Sequence, residues 1–189
     1  MRAFLSFALA GLMATGAVSL EAPIPGYGVD TVGVEVEIAP GQTAVLNGTV
    51  QEIYAQALQL NPDFTLTATD AGTPAPQKKQ KRSTVHCNNW PRAKQWALED
   101  GVRYLRGVPG TVTHLPGPGK CARVSCSYQS AIWWCNDNTH SITLPSFNWI
   151  ADSAQHTINV CFDGTGELAG QNFEDGNWNT ILRHDNANC

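Results

Sequence analysis

The placement of the cysteines constrains this chain more than any other feature, because all of them follow residue 82. There are six of them. An even number in a chain bound for secretion predicts three disulfides that staple one small domain. The sequence does not select among the pairings that six cysteines allow. A zinc site would need two closely spaced pairs, so no metal site is predicted. The cysteines are Cys87, Cys121, Cys126, Cys135, Cys161 and Cys189.

The beginning of the chain predicts secretion. Residues 1–19 combine Arg2 with an apolar stretch and end in small residues, the pattern of a secretory signal peptide. That stretch is short for a membrane span, and no later segment is long and apolar enough to form one. We therefore expect a secreted, extracellular protein with no stable membrane span.

Charge divides the rest of the chain just before the cysteines begin. Residues 20–77 contain seven acidic side chains and no Lys or Arg, and a basic run ending in Lys81 and Arg82 follows. The connector before that run is rich in Pro and Ala, so it should be extended and open to proteases. These features predict a signal peptide followed by an acidic pro-segment, residues 20–82, which a kexin-type protease separates from a mature domain, residues 83–189.

The mature domain is nearly neutral, with seven basic and nine acidic side chains. Binding to nucleic acid would need a basic face, so no nucleic-acid partner is predicted. All six tryptophans lie in this domain and supply bulky side chains for a core. A chain of this length can bury one core, and disulfides add to its stability.

The pro-segment has local structure of its own. Residues 32–38 alternate apolar and acidic side chains as a half-buried strand does, and Pro40-Gly41 marks a turn. Residues 49–59 have the apolar spacing of an amphipathic helix. Asn47 begins the glycosylation sequon Asn-Gly-Thr. The segment is either a compact prodomain that shields the mature surface or guides its folding, or a weakly folded tail.

The element order in the mature domain predicts an α+β fold, an antiparallel sheet with two helices on one face. Pro91 suits the first turn of the first helix, and Ser146 suits the N-cap of the second. The second helix has an apolar stripe, and Cys161 on that stripe is expected to link the helix to the sheet; the stripe is Phe147, Ile150, Ala154, Ile158 and Cys161. Asp175-Gly176 is a good turn for the last hairpin. The predicted elements are a helix over 91–106, strands over 121–128 and 131–136, a helix over 147–161, and strands over 168–173 and 177–183.

Catalytic signatures are mostly absent, so neither a catalytic residue nor a cofactor is predicted. His156 and Asp152 lie four residues apart on one helix and could form an acid–base pair, although an ordinary surface pair is favoured. Trp133 and Trp134 are neighbours on a strand and therefore face opposite sides of the sheet. One of them must be covered on the other face or be exposed to bind a glycan or a protein, and burial is favoured.

The mature region resembles fungal secreted cysteine-rich proteins, in particular the smut killer toxins and the necrosis-inducing extracellular effectors of leaf pathogens. The resemblance covers residues 87–189 and is carried by the order of elements, the block C-A-R-V-S-C-S-Y-Q-S-A-I-W-W-C-N-D and the terminal hairpin closing on Cys189. It implies an effector or toxin that acts outside the producing fungal cell on a host or a competitor, without known catalysis. The cysteine spacing differs from that of both families, so the resemblance does not extend to the target. The alternatives are a small secreted hydrolase or nuclease that uses a His/carboxylate pair, and a Trp-based glycan- or protein-binding module.

Overall fold

A six-stranded sheet organises the structure, a computed structural model that describes residues 20–66, 83–186 and 189. All neighbouring strands in this sheet are antiparallel except the first two, which are parallel. Numbered along the chain and given in their order across the sheet, the strands are β1 (Gly28–Asp30), β7 (Lys120–Ser127), β8 (Ser130–Asn136), β12 (Trp178–His184), β11 (Gly170–Glu174) and β4 (Thr84–Cys87).

The remaining elements of the described residues are three helices and three strand pairs. The helices are α1 (Val50–Leu60), α2 (Gln95–Gly107) and α3 (Asn148–Cys161). The strand pairs are β2 (Gly33–Ala39) with β3 (Gln42–Asn47), β5 (Ala93–Lys94) with β10 (Glu167–Leu168), and β6 (Val112–His114) with β9 (Ile142–Leu144).

The predicted α+β fold is confirmed, and its main core lies between the helices and one face of the sheet. Ile132 and Leu182 point from the sheet into the same apolar cluster as Leu98 of α2 and Ile150 of α3. All four side chains are fully buried. The alternation of side chains along a strand sends the residues between them to the opposite face.

Local sequence explains the start of α1 but not the starts of α2 and α3. The N-cap of α3 is Phe147 rather than the predicted Ser146, and no side chain caps this helix. Thr49 caps α1 and forms a capping box with Glu52, so this helix begins where the sequence predicts. The apolar stripe of α3 is buried along its length, as its spacing predicts. The first mature helix begins at Gln95 rather than Pro91, because Ala93 and Lys94 pair as β5 with β10.

Residues 20–66, called the N-terminal segment below, are folded onto the cysteine-rich part of the chain, residues 83–189. Val36 of the β2–β3 hairpin and Ile53 of α1 are at most 1% exposed and lie in the main core cluster. The predicted signal peptide and the dibasic pair Lys81 and Arg82 lie outside the described residues. Within the described part of the chain, no helix is long and apolar enough to cross a membrane.

Candidate functional site

The three predicted disulfides are present, and each fixes a different part of the cysteine-rich framework. Cys161 on the apolar stripe of α3 is bonded to the sheet, as its position predicts. A second disulfide joins two neighbouring strands, and a third ties the end of the chain to the sheet. The pairs are Cys87–Cys161, Cys121–Cys135 and Cys126–Cys189.

Trp133 and Trp134, the two tryptophans considered as binding residues, are both fully buried on opposite faces of the sheet. Trp134 lies in the main core, where its ring meets His114 edge-on at 4.9 Å and Trp178 at 6.5 Å between ring centroids. Trp133 lies on the other face, in a cluster with residues of the N-terminal segment and with Trp90. Neither indole has surface with which to contact a ligand in this state, because the face without helices is covered as well.

A different aromatic pair, Trp96 and Tyr128, is open to solvent. Trp96 is 48% exposed and Tyr128 is 61% exposed. Their ring centroids lie 4.6 Å apart, with the ring planes tilted by 57°. Each ring shields part of the other, yet together they leave apolar surface exposed to solvent. Such paired, exposed rings are typical of contact sites for proteins or sugars.

The backbone under Tyr128 is strained and firmly held. Tyr128 and Gln129 form the two-residue turn between β7 and β8, and both adopt positive φ, 51° and 62°. This turn type normally uses Asn and Gly, so a tyrosine there is uncommon. The Gln129 N–H donates to the Cys189 carbonyl at 3.2 Å, and its carbonyl accepts from the Asp185 N–H at 3.0 Å. Strain that the surroundings maintain in this way often marks a functional position.

Sequence reasoning missed this pair, although one signal for it was present. Trp96 falls outside the apolar stripe of α2, whose buried members include Ala97, Leu98 and Val102. A tryptophan on the polar side of an amphipathic helix is an outward-facing tryptophan. Tyr128 gave no such signal, because a strand pattern does not show which residues occupy the turn.

Of the two residues considered as an acid–base pair, Asp152 lies beside α2 and His156 lies beside β11. Asp152 forms an ion pair of 2.6 Å with Arg106 of the neighbouring helix α2. His156 is exposed and lies near Glu174 of β11, which is 8% exposed. Burial raises the pKa of Glu174, and His156 acts in the opposite direction.

Glu174 belongs to a buried polar network that joins α3 to the sheet. The Asn172 amide donates to Glu174 at 2.7 Å and to the Ser153 hydroxyl at 3.0 Å. Ser153 in turn shares a hydrogen bond of 2.8 Å with Thr180. These bonds satisfy most of the polar groups that the helix covers, although the buried Oδ1 of Asn172 has no hydrogen-bond partner among the described residues.

A cavity of about 480 Å³ opens where the N-terminal segment meets the sheet, beside Asp137 and Gln171. The Tyr27 hydroxyl donates to one oxygen of Asp137 at 2.9 Å, and the Asn179 amide donates to the other at 2.8 Å. Burial, and then the bond to Asp137, raise the pKa of Tyr27. Both carboxylate oxygens therefore hold neighbouring parts of the chain together.

The other predicted site residues have simpler surroundings. Asn47 is exposed at the end of β3, open to the modification that its sequon predicts. Within the described residues, no group of three or more His, Cys, Asp or Glu side chains is arranged to hold a metal ion.

Comparison with known proteins gives no relative: no family model, no curated protein and no solved structure matches this chain. The resemblance to killer toxins and necrosis-inducing effectors therefore stays a prediction.

Proposed function

We propose that this chain is a secreted, proteolytically processed effector or toxin-like protein that acts outside the producing fungal cell, on a host or a competitor. The three disulfides support this compartment, since such bonds persist mainly in oxidising surroundings. A kexin-type protease would cut after Lys81 and Arg82. The protein acts by binding its target rather than by transforming it.

The observation that carries the proposal is the exposed aromatic pair, Trp96 and Tyr128. The two rings are 48% and 61% exposed, so apolar surface is in contact with water. A bound target would cover that surface. Bonds from the turn to the chain terminus fix the position of Tyr128, and the Cys126–Cys189 disulfide fixes that terminus. A rigid aromatic anchor loses little conformational freedom on binding, which favours affinity.

The test compares aromatic variants in an activity assay. The secreted protein, produced from the full precursor, is applied to plant tissue and to competing microbes, and necrosis and growth inhibition are recorded against dose. Trp96→Ala and Tyr128→Asn should raise the effective dose by about tenfold or more, the loss expected for a binding hot spot. Asn is chosen at position 128 because it tolerates positive φ.

Trp149 provides the matched control, since it is 40% exposed on a different helix. Trp149→Ala should change the effective dose by less than about twofold. Circular dichroism and the melting temperature verify that all three variants fold. If the aromatic variants were as potent as the wild type, Trp96 and Tyr128 would not be the residues that bind the target.

Two further readouts separate the competing functions. Ribonuclease and glycan-hydrolysis assays on the same protein test the hydrolase alternative, and turnover that survives Trp96→Ala would favour it. Intact-mass spectrometry of the culture supernatant tests processing, because a dominant species that retains residues 20–82 would contradict cleavage after Arg82.

A further inference from the structure

The N-terminal segment shares its hydrophobic core with the cysteine-rich part of the chain. Val34, Ile53 and Ala57 of the segment lie in one apolar cluster with Leu98 and Leu105 of α2. Each of these side chains is at most 3% exposed. A segment as short as residues 20–66, without a disulfide of its own, rarely buries enough surface to fold alone. Its hairpin and helix are thus stabilised by the surface on which they lie.

The segment also completes the central sheet. Strand β1 pairs in parallel with β7, matching Val29 to Cys121 and Asp30 to Ala122. The Gly28 N–H donates to the Gly119 carbonyl at 2.7 Å, just before this pairing begins. Without β1, strand β7 would become an unprotected edge of the sheet.

On the face without helices, residues 20–27 of the segment cover Trp133. Leu20, Ala22, Ile24 and Tyr27 pack in one cluster with this tryptophan, which is fully buried. The Trp90 indole N–H donates to the Pro23 carbonyl at 3.1 Å, and Pro23 is itself buried. Removing the segment would expose a large aromatic surface to water.

Gln51 of α1 makes two hydrogen bonds to β7. Its amide N–H donates to the Ser125 hydroxyl at 2.8 Å, and its amide oxygen accepts from the Cys126 backbone N–H at 3.1 Å. Ser125 is only 2% exposed, so its hydroxyl depends on this partner for its hydrogen bond.

Net charge does not hold the two parts together, since both are acidic. An ionisable contact between them, Asp30 with His114 at 3.6 Å, involves a histidine whose pKa is lowered by burial. Residues 20–77 carry seven negative charges and no positive ones, and the cysteine-rich part carries nine negative and seven positive. Apolar burial therefore dominates the contact, and salt should not weaken it. All six cysteines pair within residues 83–189, so no disulfide crosses between the parts.

From these contacts we infer that the N-terminal segment stays bound after the chain is cut between the two parts. The processed protein is then a two-chain complex without a covalent link, and cleavage by itself does not release residues 83–189. The inference goes beyond the proposed function, because it depends on neither a target nor the natural protease.

The experiment uses the full secreted chain with a specific protease site inserted between residues 66 and 83. After complete cutting, size exclusion and native mass spectrometry are run at low and at about 1 M salt, where charge interactions are screened. A one-to-one complex at both salt concentrations is expected. The inference would be overturned if the N-terminal segment separated from residues 83–189 of the cut wild type. This holds whether residues 83–189 then stay soluble or precipitate.

A matched pair of variants on α1 tests the contact itself. Gln51→Ala removes both bonds to β7 and should weaken the cut complex by about tenfold. Gln56→Ala removes bonds to Asn47 and Glu52, which stay within the segment, and should change the affinity by less than about twofold. Equal effects of the two variants would show that Gln51 does not contribute to the contact across the cut.

Discussion

Replacing Gly101 of α2 by alanine tests how closely this helix packs on the sheet. Helix propensity alone favours the change by about 1 kcal/mol. In the structure, however, a Cβ at Gly101 would lie 2.4 Å from the Ser125 hydroxyl oxygen and 3.1 Å from Cδ1 of Ile132. The hydroxyl has little freedom to move away, because it accepts the hydrogen bond from Gln51. Packing therefore opposes propensity at this position.

The cost of crowding exceeds the gain in helix propensity, so glycine is the more stable residue at position 101. Crowding a packed core costs about 1–3 kcal/mol, and losing the bond to Ser125 costs about 1 kcal/mol more. After subtraction of the propensity gain, Gly101→Ala should lower the free energy of unfolding by about 1–3 kcal/mol. Urea unfolding, followed by tryptophan fluorescence with the disulfides intact, should show a midpoint about 1 M lower at an unchanged slope.

A second background isolates the cause. In Ser125→Ala the hydroxyl is gone, and only the milder contacts of the new Cβ with Ile132 and with the Cβ of residue 125 remain. The gain in helix propensity should offset these contacts, so adding Gly101→Ala should change the free energy of unfolding by less than about 0.5 kcal/mol. The coupling between the two positions should then exceed about 1 kcal/mol. Close packing at Gly101 would be contradicted if Gly101→Ala stabilised the wild type, or if it lowered the free energy of unfolding equally in both backgrounds.

Three further predictions concern ionisation and the disulfide framework. Burial lowers the pKa of His114 below its ordinary 6.5, so the free energy of unfolding should fall as the pH drops below 6.5. His114→Gln should remove this contribution to the pH dependence of the melting temperature. Burial raises the pKa of Glu174, so its contribution to stability is present at low pH and is lost as the pH rises through the folded-state pKa. Glu174→Gln should therefore raise the melting temperature at pH 7 relative to that at pH 4, compared with the wild type. Replacing both Cys87 and Cys161 by serine opens a link across 74 residues and should cost about 4 kcal/mol in urea unfolding.

Local sequence was enough to predict the helices and turns whose sequence patterns involve only neighbouring residues. The capping box at Thr49 marks the start of α1, and the apolar spacing of α3 predicts its buried face. Asp175-Gly176 lies in the turn between β11 and β12, where Gly176 adopts φ 103°. Each of these signals depends on neighbours along the chain, so no tertiary contact was needed to interpret it.

Strands that form only by long-range pairing were missed. Strand β4 pairs with β11, and β6 pairs with β9, each across a long stretch of intervening chain. Strand β1 is three residues long and pairs with β7 from the far side of the dibasic region. A short strand buries too little by itself to leave a pattern, because its stability comes from the partner strand.

The sequence by itself determined that the six cysteines would form disulfides, though not in which pairs, roughly where the helices lie, and that Trp133 and Trp134 face opposite sides of a sheet. Only the tertiary structure decided what covers each face. Trp133 is buried because residues from before the dibasic pair lie across it, whereas Trp96 stays exposed beside Tyr128. Periodicity reports which side of an element a residue occupies, but the covering of that side depends on contacts between distant segments.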